Sequence, residues 1–348
     1  MLSISKSVGG VAYFSHCFLL LISTFGMSFQ ALGQSTDVIE GAKKEGRLVY
    51  YTGMELDQST VFANEFVKKY PFVKHEIFRA SGEKVLTKYL TEARAKTYRA
   101  DVFQTSVIQV SQLKGEGLVQ KYVSSENKAY PEGFKDREGY WYAFYLLPYV
   151  ISYNTNIIPP NEAPKSYEDL LNPKWKGKIG LEAEQYQWFF HLLKIMGKEK
   201  GMDFMRRLSQ QALHMRNGHS LLQQLVIAGE IPISVVLYAS QVEYDRRTTG
   251  APIDWVRFKG PTITAFNAIS IPANAPHPNT AKLFVDFSLS QEGQGILKRF
   301  NRVPARSDLT ADSPGVVEGL NLYPASPEEL IRNYKETVAQ FREIFKVP

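Results

Sequence analysis

Residues 140–154 read YWYAFYLLPYVISYN, and the interpretation of this run decides the architecture of the chain. It reads as a long aromatic strand interrupted by Pro148, and it marks a break between two strand–helix series. Before it, residues 47–52 (RLVYYT), 73–79 and 100–104 predict strands. Between them, Val61, Phe62, Phe66, Val67 and Tyr70 fall at helical spacing over 60–70 and stop at Pro71. Val85, Leu86, Tyr89, Leu90 and Ala93 give 83–96 one apolar face, and 106–114 predicts a third helix.

After a Pro/Asn-rich loop at 158–165 the alternation resumes. Strands are predicted at 178–181 and 231–238, with helices at 187–196, 202–209 and 221–228. Extended runs at 254–258 and 266–271 flank Gly260-Pro261, and helices follow at 280–289 and 291–299. Ser326-Pro327-Glu328-Glu329 predicts a capping box at the start of the last helix. Strands alternating with helices imply parallel pairing with right-handed crossovers, hence an α/β fold.

Composition agrees. The 348 residues are 44% hydrophobic, 22% charged and 13% aromatic, which excludes disorder, collagen-like repeats and a small disulfide scaffold. At about 100–200 residues per domain, two domains are expected. Lys plus Arg is 41 against 35 for Asp plus Glu, a mild excess with no block of five like charges. A nucleic-acid partner is therefore not expected, and the balance suits a carrier of anions or no partner preference at all.

The first 33 residues differ from the rest. Lys6 is their only charged side chain apart from His16, an apolar stretch runs from Val11 to Phe29, and Ala31-Leu32-Gly33 closes it ahead of Gln34. This is the pattern of a secretory signal peptide cleaved after residue 33. Ser15, His16, Ser23, Thr24 and Gly26 dilute the rival reading, an uncleaved membrane anchor. Cys17, the only cysteine, lies in this leader, so a mature chain 34–348 has no disulfide, thiolate nucleophile or cysteine zinc site. A periplasmic, soluble protein is expected.

Enzyme signatures are missing. Gly218-His219-Ser220-Leu221-Leu222 lacks the last glycine of a nucleophile elbow, and Gly177-Lys178 lacks the rest of a phosphate loop. His214 and His219 are expected to be solvated, and His75-Glu76 on a strand point to opposite faces. No enzyme activity is expected. Three strand-to-helix junctions remain: Thr52-Gly53, Ser81-Gly82 and Thr105-Ser106. At such junctions helix N-termini present free N–H groups, which together with hydroxyls hold anions.

A series of short motifs completes the reading. LVYYTG (48–53), RADVF (99–103), YVISYN (149–154), WKGKI (175–179), Arg216-Asn217-Gly218, Ala228-Gly229-Glu230, GPTITAFNAISI (260–271), His277-Pro278, AKLFVDFSLS (281–290) and Gln291-Glu292-Gly293-Gln294 follow in order. With them the chain resembles, over about residues 37–308, the extracellular solute-binding proteins of ABC importers. The likeness is to the type 2 periplasmic binding proteins of the ferric-iron, phosphonate and thiamine group.

The resemblance implies two α/β lobes, each a mainly parallel sheet flanked by helices, joined by two crossover strands. Lobe one would hold 34–147 plus 262–348 and lobe two 148–261. A small solute would sit in the cleft under hinge closure, and the partner would be an ABC permease in the inner membrane. A monomer without a cofactor is implied, and a solute sensor for a membrane receptor is the alternative role.

Carried over residue by residue, the cleft takes Thr52, Gly53, Ser81, Gly82, Thr105 and Ser106 from lobe one. Tyr149 and Asn267 come from the crossovers, and Glu182, Gln185, Arg216, Asn217 and Tyr238 from lobe two. Ferric binders of this group use two adjacent tyrosines, whereas Tyr238 is followed by Ala239 and Ser240. A ferric site would need Tyr238 with Glu55 or Glu182 and a bound anion. An organic or phospho-anion is the favoured solute and Fe3+ the alternative cargo.

Overall fold

The computed structural model describes residues 26–257, 259–309, 316–317 and 320–347, with side chains from residue 36 onward. Most of the expected leader, including Cys17, lies outside the described residues, as does Phe258 at the end of the expected strand 254–258.

The first element of the described residues is α1 (Gly26–Glu45), into which the last residues of the expected leader run. There follow β1 (Arg47–Thr52), α2 (Leu56–Lys69), β2 (Lys74–Arg79), α3 (Gly82–Arg94), β3 (Val102–Ser106) and α4 (Val107–Gly115). The long strand is β4 (Tyr142–Asn154). The second series comprises β5 (Ile179–Glu182), α5 (Tyr186–Met196), α6 (Lys198–Ser209), β6 (His214–Arg216), α7 (His219–Ala228), β7 (Ile233–Tyr238), α8 (Ala239–Thr248) and β8 (Ile253–Trp255). The return carries β9 (Pro261–Ser270), α9 (Pro278–Leu289), α10 (Gln291–Arg299), β10 (Val303–Pro304), β11 (Asn321–Pro324), α11 (Pro327–Arg332) and α12 (Tyr334–Phe345). Among the described residues no helix is long and apolar enough to cross a membrane.

Two sheets share one plan. In the first, β1 runs parallel to β2 and β3, and β9 lies antiparallel between β3 and the first half of β4. In the second, β5 runs parallel to β6 and β7, and the second half of β4 lies antiparallel to β7 and β8. In each sheet the parallel set of strands that the resemblance implied is joined by one bridging strand that runs against it, β9 in the first and the second half of β4 in the second. The reason is geometric: β1, β3, β5 and β7 all run toward the seam between the lobes. A strand arriving from the other lobe must run away from that seam.

Pro148 does not interrupt β4. It stands opposite Thr264 of β9, while the next residue, Tyr149, already stands opposite Tyr238 of β7. A residue without an N–H thus falls where the ladder changes partner, the place in a sheet where it costs least.

Each sheet buries an aromatic core. In lobe one, Phe62 meets Phe144, Phe284 and Phe287 at 5.2–5.9 Å, largely edge to face. In lobe two, Trp188, Phe189, Phe204, Val235 and Val236 are buried together. The C-terminus departs from the expected assignment of 262–348 to lobe one. Phe341 lies 5.1 Å from Tyr186 and 5.6 Å from Phe189, so α12 packs on α5 and α6 and completes the second core. The expected capping box does not form: the Ser326 hydroxyl donates to the Glu328 carboxylate instead of capping α11. The last helix is in fact two, separated at Asn333.

Candidate functional site

The three junctions of lobe one converge. A Cβ on Gly53 would lie 3.6 Å from the Thr105 side chain and 3.9 Å from the backbone of Gly82. Ser106 accepts the Ile108 N–H at 3.2 Å and caps α4, Thr105 is buried, and Ser81 is exposed at the head of α3 without capping it. Thr52 is fully buried; its hydroxyl donates to Gln104 Oε1 and accepts the Met54 N–H, which ties it to the turn. Asn267 stands opposite Ser106 on one side of β9 and Tyr145 on the other.

Tyr145 occupies the lobe-one side of the seam, with Gln104 and Asn267 beside its phenol. The Arg302 guanidinium lies over its ring, 4.8 Å from the centroid. The two-residue strand β10 brings Arg302 there by setting Val303 opposite Leu146 and Pro304 opposite Tyr145. Nε and Nη2 of Arg302 both donate to Gln58 Oε1, at 3.2 and 3.0 Å.

On the lobe-two side, Tyr149 and Tyr238 are cross-strand partners with ring centroids 5.8 Å apart. His219 stacks on Tyr238 at 4.3 Å and lies within 6° of parallel to Tyr149. Burial pushes His219 down to about 4, so the ring is neutral and its Nε2 accepts the Gln185 amide. Of the two histidines expected to be solvated, His214 bonds the Gly177 carbonyl at 2.9 Å at an exposed edge, whereas His219 departs from the expectation and stacks at the seam. Burial raises the phenols of Tyr145, Tyr149 and Tyr238, and the nearby Glu182 raises Tyr238 further. All three are neutral donors near neutral pH.

Glu182 is buried. Its two oxygens accept the N–H groups of Gly218 at 3.1 Å and Glu184 at 2.8 Å, while burial pushes its pKa up. Glu55 is exposed and pairs with Arg79 at 2.7 Å. Arg216 turns its Nη1 onto the Met215 carbonyl at 2.8 Å, and Asn217 is exposed beside it. The ferric trio of Tyr238, Glu55 and Glu182 therefore consists of one protonated phenol and two carboxylates already engaged. Among the described residues no group of three His, Cys, Asp or Glu side chains is placed to hold a metal. A cavity of about 880 Å3 lies elsewhere, against α1 and α9 with Tyr70, Tyr122 and Asp286 in its wall, away from the strand ends.

Tyr145, His219, Arg302 and Gln58 were not among the expected cleft residues. Tyr145 had a signal: four residues from Tyr149 on one strand, it shares its face. Arg302 had none, because only the long-range pairing of β10 with β4 places it.

Residues 100–322 match the family described as bacterial extracellular solute-binding protein. Among curated proteins, "Probable ABC transporter periplasmic-binding protein y4fP" of Sinorhizobium fredii is 27% identical over 217 residues. That alignment covers 59% of this chain and 60% of the relative's own length. Iron-bound HitA from Pseudomonas aeruginosa superposes with a TM-score of 0.72 at 20% identity, over 86% of this chain and 99% of that one. AfuA from Actinobacillus pleuropneumoniae, with fructose-6-phosphate bound, gives 0.71 at 22% identity over 87% and 99%. These two likenesses bear out the expected two-lobed periplasmic-binding fold. With well over half of its length inside the family match, the chain belongs to the bacterial extracellular solute-binding proteins.

Proposed function

We propose that the protein is the periplasmic solute-binding component of an ABC importer. It captures a small organic or phospho-anion in the cleft by hinge closure and delivers it to a permease in the inner membrane. One observation carries this reading. The strand ends of both sheets meet at Tyr145, Tyr149 and Tyr238, where the nearby carboxylates are already satisfied and the remaining groups are mostly neutral donors. Such a lining suits a solute rich in acceptor oxygens. Closure over it has a ready pivot in β4 and β9, each of which pairs with strands on both sides of the seam or leads directly across it.

The test is a thermal-shift screen of the protein after unfolding and refolding to strip bound solute. The panel holds di- and tricarboxylates, phosphate esters, phosphonates, polyamines, thiamine and ferric chloride. A ligand at 100 times its Kd stabilises by about 2.7 kcal/mol, a shift of several degrees. A shift with an anion supports the reading, and the absence of any shift removes it. The cross-strand pair Tyr149–Tyr238 favours a second reading, ferric capture, which a ferric shift reversed by a chelator would establish in its place.

A further inference from the structure

Three arginines stand at or beside the strand ends that form the seam, and their partners separate them. Arg79 is engaged by Glu55 at 2.7 Å and by the Met54 carbonyl at 3.3 Å. Arg216 is folded back on its own strand. Arg302 has a single acceptor, Gln58 Oε1, and no carboxylate partner among the described residues. Of the five N–H groups of a guanidinium, Gln58 takes two, so three remain to be used. The Tyr145 ring and the Gln58 amide together fix the plane of the cation, so little side-chain freedom is left to lose on binding. The charge acts on the phenols of both Tyr145 and Tyr238, which places it where the two lobes meet. Beside it, the fully buried Gln104 has an amide nitrogen with no hydrogen-bond partner of good geometry, its oxygen being taken by Thr52 and Tyr50.

We infer that Arg302 sets the charge selectivity of the site: it binds an oxyanion of the solute, a carboxylate or a phosphate, at the Tyr145–Tyr238 seam, with Gln58 holding the guanidinium. The inference rests on the solute-capture reading and sharpens it, since it gives the anion contact to a residue that β10 supplies. A guanidinium fork matches two oxygens of either group, so the site has one chemistry and two sources for it.

The test is calorimetric titration of the stripped protein with citrate, inorganic phosphate, glycerol 3-phosphate and fructose 6-phosphate. Glucose, putrescine and ferric chloride form the arms without an organic oxyanion. At least one oxyanion should bind, and whether it is a carboxylate or a phosphate identifies the source. Arg302→Gln should weaken that binding on the order of 10- to 100-fold, as expected for charge-assisted contacts, and Arg302→Lys should recover part of it. Arg299→Gln, an exposed change of the same charge on α10, should leave it unaltered. Melting midpoints of the variants, kept within a few degrees of the parent, show that loss of binding is not loss of fold. Unchanged affinity in Arg302→Gln, or an equal loss in Arg216→Gln, would overturn the assignment. Binding of only the sugar, the amine or ferric ion would also overturn it while leaving solute capture intact. Binding of nothing would overturn both.

Discussion

Tyr149 of β4 and Tyr238 of β7 face each other in register at the point where β4 changes sheets, their rings 5.8 Å apart. Neither tyrosine follows the other in sequence, so the pair is a product of the crossover. Both phenols are held protonated by burial, and Glu182 adds to the effect at Tyr238. Tyr238→Phe therefore removes one neutral hydrogen bond from an anionic solute, worth about 0.5–1.5 kcal/mol. Titration should show a loss of no more than about tenfold. Abolished binding would identify the phenolate as a metal ligand.

Gly53→Ala separates site from scaffold. The added Cβ meets its neighbours at ordinary contact distances of 3.6 and 3.9 Å, so the melting midpoint should stay within a few degrees of the parent. The methyl nevertheless enters the gap where the ends of β1 and β3 approach the start of α3. Affinity should fall by on the order of tenfold or more if the solute uses that gap. Equal affinity would take this junction out of the cleft.

His191 gives the stability a pH dependence. The side chain is 1% exposed on α5, neither ring nitrogen has a hydrogen-bond partner of good geometry, and burial assisted by Lys194 pushes its pKa down to about 4, against a weaker opposing pull from Glu329. In the unfolded chain the imidazole titrates near 6.5. Between those values the unfolded state binds a proton that the folded state refuses, so stability falls as pH drops from 6.5 toward 4. The loss is at most about 3 kcal/mol from this residue. His219 acts in the same direction. Urea unfolding of His191→Phe should show a shallower decline over this window, and an unchanged slope would mean that the ring is not held neutral.

Phe341→Ala tests where the C-terminus belongs. The ring is fully buried against Tyr186, Phe189 and Phe345. Truncation should cost about 3–5 kcal/mol in denaturant unfolding. A cost below 1 kcal/mol would show that lobe two folds without α12.

Much of the fold was legible because each element carries its own period. The strand at 47–52 is observed at the same residues, and the helix at 291–299 likewise. The break at 140–154 was legible as a change of texture, although Pro148 marks a change of partners and not an interruption. The convergence of Gly53, Gly82 and Thr105 followed from the rule that open α/β sheets build sites at strand ends. Arg302 could not be found that way. It follows a helix, precedes a strand of two residues, and owes its position to a pairing with Leu146 and Tyr145 more than 150 residues earlier, a relation about which local pattern is silent. The capping box at 326–329 failed for a local reason instead: the Ser326 hydroxyl had a carboxylate two residues away to compete with the helix for it.

The pairing of β3 with β9 also has a temporal side. Phe103 meets Ser270, which follows it by 167 positions, so during synthesis the first three strands wait with an open edge until nearly all of lobe two has been made. Long-range pairings of this kind fold slowly, because the loop must close before the contacts reward it. A chain whose first sheet is completed so late leaves the β3 edge without its partner for most of its production.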